Sequence, residues 1–178
     1  MHHLPLMAQF NEWANARLYD CVARLPGDDY RRDAGIFFGS IHATLNHLLL
    51  VDRLWCARIE EAEHGFASLT EILYDDLKSL RAARVAEDAG IVALVDSLSA
   101  EDMGRPVRYR RMIGSGTEET RIGHILATVF NHQTHHRGHV TAVVSQCGVE
   151  PPPLDVIYYL EEIGESGDAG TVKVHGSM

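Results

Sequence analysis

Histidine is the residue type with the most evident chemistry in this sequence, which holds 11 of them among 178 residues. Two pairs stand four residues apart, His132 with His136 and His135 with His139. In a helix, side chains four residues apart lie on the same face, so the two imidazoles of such a pair can meet one metal ion. Imidazole binds zinc, nickel, copper and iron alike, so the spacing indicates a metal site without selecting the metal.

Helical phase separates the two pairs. In a helix over residues 121–147 that advances about 100° per residue, the apolar side chains fall on one arc. His136 lies inside this arc and His132 lies at its edge, whereas His135 and His139 lie outside it. Phase therefore selects His132 and His136 as the pair that faces the core, and a third ligand has to come from another helix.

An earlier predicted helix offers His42 and His47 as the third ligand. Its apolar arc leaves His42 on the solvent side, whereas His47 lies at the margin of the arc in a stretch that is apolar nearly all round. We therefore predict His47 as the third ligand, because metal sites in helical bundles are built from side chains on facing helices. Spacing and phase leave a second interpretation open, in which these histidines are hydrogen-bonded core residues or simply helix surface. His124 and His135 are assigned to the surface, with contact to the metal ligands or a place at the mouth of the pocket as the alternatives.

The elements that position these residues are mostly helical. Helices are predicted over about 4–24, from Ser40 to about 64, from Ser68 or Thr70 to about 98, over 121–147 and over 154–162. Ser40 is a favourable N-cap, and Gly148 is a left-handed stop. Strand-like alternation followed by turn residues predicts a hairpin or extended segment at 104–119. The pattern predicts an all-α four-helix bundle in one domain, residues 1–163, with a flexible glycine-rich tail at 164–178.

Three polar side chains beside the predicted site each have two interpretations. Asp52, on the inward side of its helix, is predicted either to serve a buried group or to pair with an arginine of another helix. Gln133 and Arg137 flank the inward face of the 121–147 helix, where they either line the pocket or contact a neighbouring helix or subunit.

Composition excludes several classes of protein. A formal net charge of −9 argues against a nucleic-acid binder, and a run of arginines (Arg105, Arg108, Arg110 and Arg111) is interpreted as a solvated hairpin face, with an anionic ligand as the alternative. The three cysteines lack the spacing of a disulfide framework or a zinc knuckle, which favours a reducing compartment. The sequence shows neither a signal peptide nor an apolar run that could span a membrane, so a cytoplasmic protein is expected.

The motifs resemble those of a known family. NHQTHHRGHV (131–140), preceded by GHILATVF and followed by QCG, resembles the signature of the DinB (damage-inducible) family. FNEWANARLYD and FFGSIHATLNHLLLVDRLW resemble its earlier motifs in the same order. The family usually reads HHRGQ where this chain has HHRGH, so His139 is a departure that adds a polar group near the site.

The resemblance implies a four-helix bundle related to the bacillithiol- and mycothiol-dependent transferases, often forming homodimers. It also implies a divalent metal ion, nickel or zinc in many members, held by three histidines that match His47, His132 and His136. Three imidazole ligands leave a metal position open, as in catalytic sites. We therefore expect a metal-dependent transferase or hydrolase that activates a small thiol or water; the alternative is a non-catalytic metal-binding stress-response protein that acts through dimerisation or partner binding.

Overall fold

Four long helices make up about half of residues 3–165, the part of the chain that the computed structural model describes. They are α1 (His3–Val22), α2 (Ile41–Ile59), α3 (Leu77–Ser97) and α4 (Ile122–Gln146). Between α3 and α4 lie a short 3₁₀ turn (Asp102–Gly104) and an antiparallel hairpin of β1 (Pro106–Arg110) and β2 (Thr117–Arg121). A short helix, α5 (Val156–Glu162), ends the described chain. The structure is therefore mostly helical, with the predicted hairpin as a small two-stranded sheet.

Local side-chain chemistry sets several of these boundaries. The Ser40 side chain accepts a hydrogen bond from the Ala43 N–H and caps α2, as predicted. Asp76 caps α3 in the same way through the N–H of Ser79, at 2.8 Å. Beyond α4, Gly148 has φ +75°, a left-handed conformation that glycine adopts without steric cost.

The prediction that the third helix begins near Ser68 or Thr70 is wrong, because α3 begins at Leu77. The preceding helix also ends earlier than expected, at Ile59. The residues between them form a long connection, here called the 60–76 loop. The buried side chain of Asn46 holds this loop: its Oδ1 accepts hydrogen bonds from the N–H groups of Leu73 and Tyr74, both at 2.9 Å. These hydrogen bonds satisfy backbone N–H groups of the loop, which in a helix would bond to carbonyl groups of the same helix.

The four long helices enclose the core, since α1 and α2 each pack against both α3 and α4. One group of buried apolar side chains joins the C-terminal part of α1 to the N-terminal part of α2 and includes Leu18, Leu45 and Val140. A second group, towards the hairpin, includes Ile91 and Ile125. Burial of these apolar faces is the main stabilising term for such an arrangement.

A buried polar network crosses the core and joins all four helices. Arg84 of α3 forms ion pairs with Asp52 of α2, at 2.7 Å, and with Asp88, at 2.9 Å. Asn15 of α1 donates to Asp88 at 3.0 Å, and Arg137 of α4 donates to Asn15 at 3.2 Å. Arg137 therefore contacts a neighbouring helix and does not line the pocket, which confirms the second of its two predicted interpretations. The network fixes how α2 and α4 lie against α1 and α3.

Several expectations concern the surface and the chain ends. Arg108, Arg110 and Arg111 are exposed, as a solvated hairpin face requires, whereas Arg105 is half-buried and pairs with Glu61 at 2.8 Å. All three cysteines are free thiols. Among residues 3–165, no helix combines the length and the hydropathy that a membrane crossing needs. The single domain at 1–163 stays a prediction, and the tail predicted at 164–178 lies, from residue 166 onward, outside the described residues.

Candidate metal centre

The structure brings the three predicted ligands together from two helices. His47 projects from α2, and His132 and His136 project from consecutive turns of α4. One ring nitrogen from each lies within 4.8 Å of the other two. The Nε2 atoms of His47 and His132 are 3.1 Å apart. Two nitrogens bound to one tetrahedral zinc ion lie about 3.3 Å apart, so this separation suits a shared cation.

The ring of His47 is held on both sides. Its Nδ1 donates a hydrogen bond to the carbonyl oxygen of Leu69, at 2.8 Å, which places the proton of the neutral ring on Nδ1. Phe38 stacks on the ring, with centroids 3.8 Å apart and planes 28° apart. The lone pair of Nε2 therefore points towards His132 and is available to a cation.

Burial keeps the three imidazoles in their neutral form. It lowers the pKa of His47, and the Leu69 carbonyl opposes this effect. It lowers the pKa of His132 to about 4, with the neighbouring His47 and His135 acting in the same direction. It lowers the pKa of His136 to about 3, with the nearby histidines adding to the effect. Neutral imidazole is the form that binds a metal ion, so the environment prepares the group for one.

Two of the three rings lack the expected outer partner. A metal-ligating imidazole usually donates its second ring N–H to a carboxylate or carbonyl, and among the described residues only His47 does so. The Nδ1 atoms of His132 and His136 are buried without a hydrogen-bond partner. Among the described residues Asp52 makes no hydrogen bond to either ring; its Oδ2 accepts from Arg84 and from Gln133 Nε2. The arginine interpretation of Asp52 is therefore correct, and Gln133 contacts α2 instead of the pocket.

A cavity of about 860 Å³ adjoins the three histidines. Its walls are mostly aromatic and aliphatic: Phe37, Phe38, Val51, Leu54, Trp55, Tyr109, Met112 and Ile113. Arg58 also lines the cavity, and its guanidinium lies 4.5 Å from the Trp55 ring centre and 4.3 Å from that of Tyr109. The histidines, together with Arg58, Thr70 and Arg111, thus form the polar part of a mainly apolar concave site, the usual composition of small-molecule pockets.

For the remaining histidines, the exposure predicted from helical phase agrees with the structure in some cases and not in others. The prediction that His42 faces solvent is wrong: it is only 5% exposed, because Tyr30 of the preceding loop covers it and its hydroxyl lies 2.9 Å from Nδ1. His124 is exposed, as expected. His135 is exposed and lines the cavity, and His139 is half-buried. Together with His136 they form a second group whose ring nitrogens lie within 4.8 Å of one another.

Sequence reasoning missed the two groups that hold His47. Phe38 lies in the segment FFGS, where the aromatic pair was noted only as part of a motif. Leu69 contributes a backbone carbonyl, which no residue type reveals. The false prediction of a helix from residue 68 or 70 also hid it, because a helical carbonyl would be bonded within the helix.

Comparisons with known proteins identify the family and agree with the fold. The family model described as "DinB family" matches residues 1–166. The chain is 29% identical over 159 residues to "Protein DinB" of Bacillus subtilis (strain 168), covering 85% of this chain and 90% of that protein. A crystal structure of a DinB-like protein, YjoA, from Bacillus subtilis superposes with a TM-score of 0.62 at 17% identity, covering 84% of this chain and 97% of the other. The family model spans nearly the whole chain, and the chain is therefore a member of the DinB family.

Proposed function

We propose that this DinB family member holds one divalent metal ion with His47, His132 and His136, and that it acts on a small molecule bound in the adjoining cavity. The proposal depends on one observation, the convergence of three imidazole nitrogens within 4.8 Å beside that cavity. It includes the finer architecture expected for the family, a four-helix bundle in which α2 and α4 supply the ligands.

The donor set supports a resident divalent ion. Three neutral imidazoles suit zinc and nickel, which are the two metals we propose. The Nδ1 atoms of His132 and His136 are buried and have no hydrogen-bond partner among the described residues. No hydrogen bond in that part of the chain therefore competes with a metal ion for these two nitrogens. Protonation of His132 or His136 is unfavourable, because burial and the neighbouring histidines lower their pKa values. A bound metal ion instead uses the lone pairs that the neutral rings keep.

The proposed reaction class is transfer or hydrolysis. Three protein ligands leave at least one position for a substrate, and a divalent ion, when bound, supplies Lewis acidity that lowers the pKa of a thiol or a water molecule. The chain itself does the rest. Phe38 and the Leu69 carbonyl orient His47, and the apolar cavity wall offers a surface against which an apolar part of the substrate packs. Arg58 offers a fixed cation to an anionic group of the substrate.

Metal analysis of untagged protein is the primary experiment. The wild-type protein is expected to retain zinc or nickel after dialysis, and His47→Ala and His132→Ala are expected to lose the ion of this site. His124→Ala is the matched control, because His124 is an exposed histidine of the same helix α4 outside both groups. If the two ligand variants fold and keep the same metal content as the control, the proposed site is wrong.

A second experiment separates an enzyme from a binding protein. A low-molecular-weight thiol added to the cobalt-loaded protein should change the visible absorption spectrum, because a thiolate that joins three imidazoles alters the ligand field. A screen for thiol transfer to small electrophiles, and for hydrolysis, then tests the activity. If thiols leave the spectrum of the cobalt-loaded protein unchanged and the protein converts none of the substrates, the non-catalytic alternative is supported.

Two exposed apolar side chains support the dimerisation that the alternative function requires. Phe37 and Ile113, at the cavity margin, are 83% and 76% exposed, which is unusual for large apolar side chains. We propose that the protein is a cytoplasmic homodimer, in which a second copy covers these side chains. Sedimentation equilibrium of the wild-type protein and of a Phe37→Ser variant tests the dimer: a monomer for the wild type contradicts it.

A further inference from the structure

We propose a second cation site on the outer side of the first, with His135 and His139 as its own ligands and His136 shared between the two sites. The three residues occupy positions i, i+1 and i+4 of α4, and their ring nitrogens lie within 4.8 Å of one another. This group goes beyond the three-histidine site of the proposed function, because two of its members do not belong to that site.

The rings of the outer group are packed as tightly as those of the inner group. Their centroids are 4.8 Å apart for His135 and His136, 4.5 Å for His135 and His139, and 5.2 Å for His136 and His139. The corresponding inner distances are 5.1, 5.1 and 4.5 Å. A helix presents residues four apart on one face, so α4 alone fixes the His135–His139 pair, and no distant contact is needed to assemble it.

Within residues 3–165, no hydrogen bond or ion pair to another side chain occupies the outer rings His135 and His139. Nδ1 of His139 is buried and has no hydrogen-bond partner within residues 3–165. In the same part of the chain, neither His135 nor His139 forms an ion pair with a carboxylate. Helical spacing brings these rings together, and the buried Nδ1 of His139 remains available to a ligand. A divalent cation satisfies converging lone pairs, and imidazole suits zinc and nickel.

The shared ring relates the two sites. An imidazole has two distinct nitrogens, so one ring can face a cation with each of them. If both cations bind at once, His136 binds through both nitrogens and its remaining ring proton is released to solvent, which keeps the charge balanced. His135 also lines the cavity beside the inner site, so an outer cation would lie at the edge of the space proposed for the substrate.

Zinc titration of the metal-free, untagged protein tests the proposal. We expect the wild-type chain to bind two zinc ions by native mass spectrometry and by calorimetry. His139→Gln should bind one, since glutamine keeps a similar length and polarity but loses the imidazole. His135→Asn provides a second variant with the same expectation at an exposed position. His124→Gln, on the same helix and outside both groups, should still bind two.

The variants also separate this proposal from the proposed function. His47→Gln with His132→Gln removes the inner site and should leave one outer ion, which His139→Gln then abolishes. One ion in the wild-type protein, or an unchanged ion count in both His139→Gln and His135→Asn, overturns the outer site and leaves the inner one intact. The histidines near the N-terminus are the same in every variant, so only differences between variants are interpreted.

Discussion

Replacing Arg84 by methionine should destabilise the protein severely, because this side chain neutralises two buried carboxylates. Arg84 is 2% exposed, and it pairs with Asp52 and Asp88, which are also buried. Removing one partner of a buried ion pair costs about 3–5 kcal/mol, mostly because the remaining charge stays buried without compensation. For a chain of this length, such a loss lowers the melting temperature by about 6–20 °C. Methionine nearly fills the space, so the cost of a cavity stays small.

The loss of stability in Arg84→Met should depend on pH in a defined direction. Burial already raises the pKa of Asp52 and raises that of Asp88 to about 6, and the arginine opposes both shifts. Without Arg84, these pKa values rise further above those of the unfolded chain. The folded variant then binds protons that the unfolded chain releases, so its stability falls as pH rises. The deficit of Arg84→Met should therefore be larger at about pH 8 than at about pH 5.

Urea unfolding of the metal-free protein, followed by circular dichroism, measures this effect. Arg53→Met is the matched control, because Arg53 and Glu87 also join α2 to α3, at 3.1 Å, but with side chains that are 31% and 16% exposed. A pair of that kind contributes about 0–1 kcal/mol. If Arg84→Met costs no more than Arg53→Met, or if its deficit does not grow with pH, the account of the buried network is wrong.

Three smaller predictions concern the elements that position the site. Asn46→Ala should release the 60–76 loop and with it the Leu69 carbonyl, weakening zinc binding about 10-fold, the lower end of the effect of losing an outer partner; calorimetry checks this. Ser40→Ala removes the cap of α2 and should cost about 1 kcal/mol in urea unfolding, whereas Ser40→Gly should cost only a few tenths. Gly148→Ala places a side chain at φ +75° and should cost about 1–2 kcal/mol in the same assay, and an unchanged midpoint would contradict the left-handed stop after α4.

The long helices and the hairpin were predictable because their signals are local. Apolar periodicity, the Ser40 cap, the Gly148 stop and the alternation in β1 each depend on residues a few positions apart. Phase alone also placed His132 and His136 on the inner side of α4. The start of α3 was mispredicted because residues 68–76 carry helix-compatible side chains, whereas the backbone N–H groups of Leu73 and Tyr74 bond to Asn46, 27 and 28 residues away along the chain.

The sequence by itself determined which helix faces are apolar, and with them the His132–His136 and His135–His139 pairs, because a regular helix converts spacing directly into direction. Only the tertiary structure decided that His47 meets α4, that Leu69 and Phe38 hold its ring, and that Tyr30 covers His42. These contacts join residues far apart in the chain, and loops bring them together. Their geometry follows from how the helices pack around the buried polar network, which no local pattern encodes.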